Sequence, residues 1–135
     1  RGNGVDMAQE PPPILTVTED FLGWTLDRTS CLPKSQRHTF GQRLDSFTLD
    51  ALERIITARY DVRARSNELR ALNLILEKLC VLWRIVHARH WISQQQLLFA
   101  ARSIDEIGRM AGAWLKNSEA QQRKQGAACV PPPTP

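Results

Sequence analysis

The chain has 135 residues with a net charge of +4, 42% hydrophobic and 24% charged residues, and a pI near 9.3. That is enough chain for one domain with its own core, in the composition range of water-exposed globular proteins. No apolar run reaches the length of a membrane span, and no stretch has the basic, apolar, small-residue order of a signal peptide.

Arg1 opens the chain and the first methionine is Met7, so RGNGVD is set aside from fold reasoning. Residues 1–13 are expected to form a flexible arm ending in a run of prolines, which cannot sit inside a helix. The pattern predicts helix one over Leu15–Ser30, with Val17, Phe21, Trp24 and Arg28 on one stripe and Leu22 and Leu26 beside it. Pro33 breaks the chain after it. Helix two is predicted over Ser35–Tyr60, with Phe40, Leu44, Phe47 and Ala51 on one face, continued by Leu52, Ile55 and Ile56. Helix three is predicted over Arg63–Arg89, where Leu69, Leu72, Leu76, Leu79, Trp83, Val86 and His90 alternate by three and four. Ser93, with Gln96 three residues on, reads as a capping box. Helix four is predicted over Gln94–Asn117, with Leu97, Ala100, Ile104, Ile107, Ala111 and Trp114 inward. Residues 118–135 are expected to form a flexible tail closing in PPPTP.

Short links between long helices force antiparallel neighbours, so residues 14–117 are expected to fold as an all-α, up-down four-helix bundle. Two features ask for more. Leu74, Ile75, Val81, Leu82 and Ile85 lie outside the seam of helix three, and a helix apolar around most of its girth needs a second buried face. Gly108 and Gly112 lie one turn apart on helix four, each costing about 1 kcal/mol relative to alanine. Close packing inside one bundle and close packing between copies explain them equally well.

The chemistry of the sequence argues against an enzyme. Cys31, Cys80 and Cys129 are odd in number and lack CxxC spacing, which argues against a disulfide framework and a zinc site and fits reduced thiols in a cytoplasm. No Glu-x-x-His pair supports a di-metal bundle. His87 and His90 are three apart, but no acid or cysteine follows at ligand spacing, so a structural pair is the better reading. Cys31 and His38 have no oxyanion hole or orienting acid near them in sequence. No catalytic residue, metal site or cofactor is expected.

What stands out is basic decoration. Residues 1–27 hold Arg1 against Asp6, Glu10, Glu19, Asp20 and Asp27, so the helical body is more basic than the total. Arg54, Arg59, Arg63, Arg65 and Arg70 gather around the turn between helices two and three. Lys78, Arg84 and Arg89 continue along helix three, and Arg102 and Arg109 are a heptad apart on helix four. Such a surface would bind phosphates without reading bases. A mixed, solvated face is the rival explanation.

The stretch ALNLILEKLCVLWRIVHARHWISQQQLLFAARSIDEIGRMAGAWLKN resembles the accessory variability determinant proteins of diversity-generating retroelements. The segment that carries most of it is Glu106, Ile107, Gly108, Arg109, Met110, Ala111, Gly112, Ala113 and Trp114, supported by Glu77, Lys78 and Arg84 and by the loop into Ser93. The resemblance covers roughly Ile14 to Lys116. It is similar, more loosely, to the four-helix proteins of ribosomal RNA intervening sequences, and a structural or interaction protein of that type is the alternative. The resemblance implies a ring-shaped homopentamer of bundles, bacterial, archaeal or phage-encoded, without a catalytic centre. It would partner a reverse transcriptase, bind the retroelement RNA and possibly DNA, and support mutagenic cDNA synthesis. Arg54, Arg59, Arg63, Arg65, Arg70, Lys78, Arg84, Arg89 and Arg109 are the candidate nucleic-acid contacts, with pairing to Asp105 or Glu106 as the other role for Arg109.

Overall fold

A computed structural model describes residues 13–129, with side chains to residue 126. Four long helices account for nearly all of it: α1 (Pro13–Thr29), α2 (Gln42–Tyr60), α3 (Arg65–Ala88) and α4 (Gln94–Cys129). The arm and the terminal prolines lie outside the described residues. Each helix packs on its chain neighbour, and α1 packs on α4 to close the ring of four. No strand occurs among the described residues.

The core follows the predicted seam of α3 most closely. Leu69, Leu72, Leu76, Leu79, Trp83 and Val86 are all buried, and Ile75 joins them. Against them lie Leu44, Ala51, Ile55 and Ala58 from α2, and Ala100, Ile104, Ile107 and Ala111 from α4. His90 departs from the predicted stripe: it is exposed and has a left-handed backbone at φ 64°. It is the turning residue that stops α3. The His90 N–H donates to the His87 carbonyl at 2.9 Å and the Trp91 N–H to the Val86 carbonyl at 3.1 Å. Those two bonds are the pair that defines a Schellman ending.

The inward stripe of α1 also differs from the predicted one. Ile14, Thr18, Phe21, Thr25 and Thr29 are buried, Val17, Trp24 and Arg28 are half-buried, and Leu26 is exposed. Threonine reads as polar, but in a helix its hydroxyl can bond back to its own backbone and leave its methyl for the core. Thr18 donates to the Ile14 carbonyl at 2.7 Å, and on α2 Thr48 donates to Leu44 at 2.8 Å. Thr29 donates across to Asp45 at 2.8 Å, tying α1 to the first turn of α2.

Helix two does not run unbroken from Ser35. A 3-10 turn over Lys34–Gln36 and a π-helical turn over Arg37–Gly41 precede α2. Gly41 is buried there, its Cβ position 3.6 Å from both the Gln36 carbonyl oxygen and Leu32 Cδ1. The capping box forms as read: the Gln96 N–H donates to Ser93 Oγ at 3.1 Å, and the Ser93 N–H donates to Gln96 Oε1 at 2.8 Å. Helix four, expected to end near Asn117, continues to Cys129. Buried Ser118 meets Ser66 of α3, Ser66 donates to Gln122, and Glu119 pairs with Arg70, so the added turns begin as packed structure.

Candidate nucleic-acid interface

The cations fall into two groups. Five are held by their own chain. Arg54 pairs with Glu68 at 3.3 Å and lies 3.9 Å from Asp50. Arg70 pairs with Glu119. Arg109 pairs with Asp105 one turn back at 3.2 Å, as the alternative role anticipated. Arg65 is the most committed: its Nε donates to the Ala58 carbonyl at 2.6 Å and its guanidinium to the Arg59 carbonyl at 3.1 Å. It also lies over the Trp114 ring at 5.3 Å. Helix ends leave carbonyls without partners, and Arg65 satisfies two at the end of α2. Its position two residues after the exposed Arg63 gave no sign of that work.

Arg59 is the fifth, half-buried, engaged within the chain and lying over Tyr60 at 5.2 Å. The others are more open. Arg63 and Arg84 are exposed, with no ion pair among the described residues. Lys78 reaches over the Phe47 ring at 5.5 Å, and Arg89 over Trp91 at 5.7 Å. Lys78 and Arg84 do not form one ridge. Six residues apart on a helix, they point about 120° from one another. Lys78 leans toward α2, while Arg84 acts on Cys80 together with Glu77 of α3 and Asp105 of α4. Burial first, then Glu77 and Asp105, push the Cys80 thiol up, with Arg84 opposing.

Between these flanks runs an apolar stripe facing out. Leu74, Val81 and Ile85 are 58%, 45% and 39% exposed. Leu49 and Ile56 of α2 are exposed as well. On the α3–α4 side, Gly108 would place a Cβ at ordinary contact distance, 3.7 Å, from Leu76, and Gly112 has nothing within 4 Å. The bundle therefore gives Gly112 no internal reason to lack a side chain.

A cleft of about 600 Å³ lies at the start of α2, lined by His38, Thr39, Phe40, Gln42, Arg43, Ser46 and Leu82. A second groove shares Arg43 and Leu82 and continues to Phe47, Glu77, Lys78 and Val81. None of these cleft residues except Lys78 was among the predicted contacts. The signal in the sequence was Arg43 set between Phe40 and Phe47 at helical spacing. Among the described residues no three His, Cys, Asp or Glu side chains are placed to hold a metal ion, and no helix is long and apolar enough to cross a membrane.

The family model described as bAvd-like matches residues 14–118. The chain belongs to the bAvd-like family. The match covers all of α1 to α3 apart from Pro13, and α4 through Ser118, the point where α4 last contributes a buried side chain. Searches of the curated proteins and of the solved structures return no match. Avd-type proteins are accessory proteins, and a four-helix body without strands among the described residues agrees with that membership.

Proposed function

We propose that this bAvd-like chain is a non-catalytic accessory protein of a diversity-generating retroelement. It binds the reverse transcriptase and the template RNA through basic surface and supports mutagenic cDNA synthesis, working as a ring of five bundles in the cytoplasm. The observation that carries the reading is the family match over residues 14–118. The exposed stripe of Leu74, Val81 and Ile85 supports assembly, because exposed apolar side chains in a row mark a contact surface. Lys78, Arg84, Arg63 and Arg89 supply cations that no carboxylate of the described residues neutralises. Phosphate contacts of this kind position a nucleic acid without selecting its sequence.

The test has two stages. Light scattering at moderate salt should give a mass near five times 15.3 kDa. Binding to retroelement RNA should then weaken with salt, and the double variant Lys78→Glu, Arg84→Glu should bind more weakly with its helical content intact. Unchanged affinity of that variant at low salt would remove these side chains from the interface. The engagement of Arg54, Arg65, Arg70 and Arg109 within the chain favours a second reading, a structural or interaction bundle of the ribosomal intervening-sequence type. That reading predicts assembly without useful RNA affinity.

A further inference from the structure

The cleft at the start of α2 holds an aromatic side chain and a cation together. Its lining includes no acid. Among the described residues the Arg43 side chain makes no ion pair or hydrogen bond, and the Gln42 and Ser46 side chains make no hydrogen bond. Phe40 is half-buried and fixed from behind: Trp91 meets it edge-on, ring centroids 5.8 Å apart at 69°. The backbone there is a π-helical turn, Arg37–Gly41, an irregularity that is frequent at functional sites. The volume, about 600 Å³, falls within the range of small-ligand pockets. From Arg43 the groove runs on past Phe47 to Lys78, with Glu77 as its one acid.

These groups have one chemistry in common. A flat apolar ring, fixed in place, offers a stacking surface to a planar base, and stacking is tolerant of base identity. A guanidinium one helical turn from that ring suits the phosphate of the same nucleotide. Uncommitted hydroxyl and amide groups in the same lining, of Ser46 and Gln42, suit a ribose 2′-OH, the group by which proteins tell RNA from DNA. A duplex keeps its bases stacked and cannot use such a seat.

We propose that this cleft seats one unstacked nucleotide of single-stranded RNA, its base against Phe40 and its phosphate on Arg43, with Lys78 taking a phosphate farther along the strand. The proposal rests on the RNA-binding reading above and adds a strand preference to it. It does not require base-specific contacts.

The experiment compares full-length chain with Phe40→Leu and Arg43→Gln in fluorescence anisotropy. The probes are a labelled single-stranded RNA of mixed sequence, the DNA strand of the same sequence, and the RNA duplex. Phe40→Leu keeps apolar packing on Trp91 and removes the ring. It should weaken single-stranded RNA binding about tenfold, the scale of one lost stacking contact, and leave duplex binding unchanged. Arg43→Gln should also weaken the single strand and flatten its salt dependence. The wild-type chain should prefer RNA over DNA. As a check independent of folding, 4-thiouridine RNA crosslinked to the wild-type chain should mark the tryptic fragment His38–Arg43. If Phe40→Leu binds the single strand as tightly as wild type, or if crosslinks fall only on other fragments, the cleft is not the seat, while general RNA binding stands. If the wild-type chain binds none of the three probes at low salt, both this proposal and the RNA-binding reading fall.

Discussion

Asp45 is a carboxyl placed where its charge is unwelcome. Burial raises its pKa from 3.8, and the hydrogen bond from Thr29 opposes that rise in part. The folded chain therefore holds this proton to higher pH than the unfolded chain does. By linkage, the associated stability is complete below about 3.8 and is lost as pH rises through the raised value. Asp45→Asn keeps an oxygen to accept from Thr29 and carries no charge. It should match wild type in denaturant unfolding well below pH 3.8 and exceed it above that window. The gain should stay under about 1 kcal/mol, because solvent screens a half-exposed side chain and the start of α2 favours negative charge. Nothing in the sequence marked Asp45, since the pressure comes from α1 folding over it. The same holds for Thr18 and Thr48: their inward role depends on a hydroxyl bonding its own helix, which hydropathy does not register.

At the scale of one element, α3 shows how far periodicity reaches. Six apolar positions in its seam are buried as the three-four alternation requires, because a repeated stripe leaves a helix only one way to face a core. The seventh, His90, continues the spacing but not the helix. Its residue type hid the turn, since glycine is the usual occupant of a left-handed ending. An L residue pays roughly 1 kcal/mol for that conformation. His90→Gly should therefore raise the stability of the chain, by up to about 1 kcal/mol, measured as a higher urea midpoint with an unchanged slope. A lower midpoint would mean that the imidazole itself holds the α3–α4 corner. The start of α4 was legible for the opposite reason: the capping box is local, and Ser93 and Gln96 need no other element to form it. The turns before α2 were not legible, because they answer to Leu32 and Thr29 closing on Gly41.

For the whole molecule, the bundle was readable and its surface was not. Four amphipathic runs and short links determine the architecture, whereas the fate of each arginine depends on which carboxylate or carbonyl the fold brings near. Arg65 and Arg70 are ordinary surface residues in sequence and become fastenings between helices in the structure. The glycines of α4 belong to this scale too. Gly112 faces open space, so Gly112→Ala should leave a single bundle intact and stiffen α4, a gain near 1 kcal/mol in helix propensity. If copies pack through that face, the added methyl separates them. Light scattering on Gly112→Ala should show a lower mass than wild type, with helical content preserved. A full-sized assembly would assign the contact to another face.

Helix α4, with 36 residues, is half again as long as α3, with 24. Its last side-chain hydrogen bond to α3 among the described residues is at Gln122, and seven further residues carry the helix about 10 Å past that point. The overhang leaves from the end of the bundle where α3 begins, next to Ser66. It acts as a spar. Residues 123–129 thereby stand as a rod whose bearing is set by the bundle at its foot.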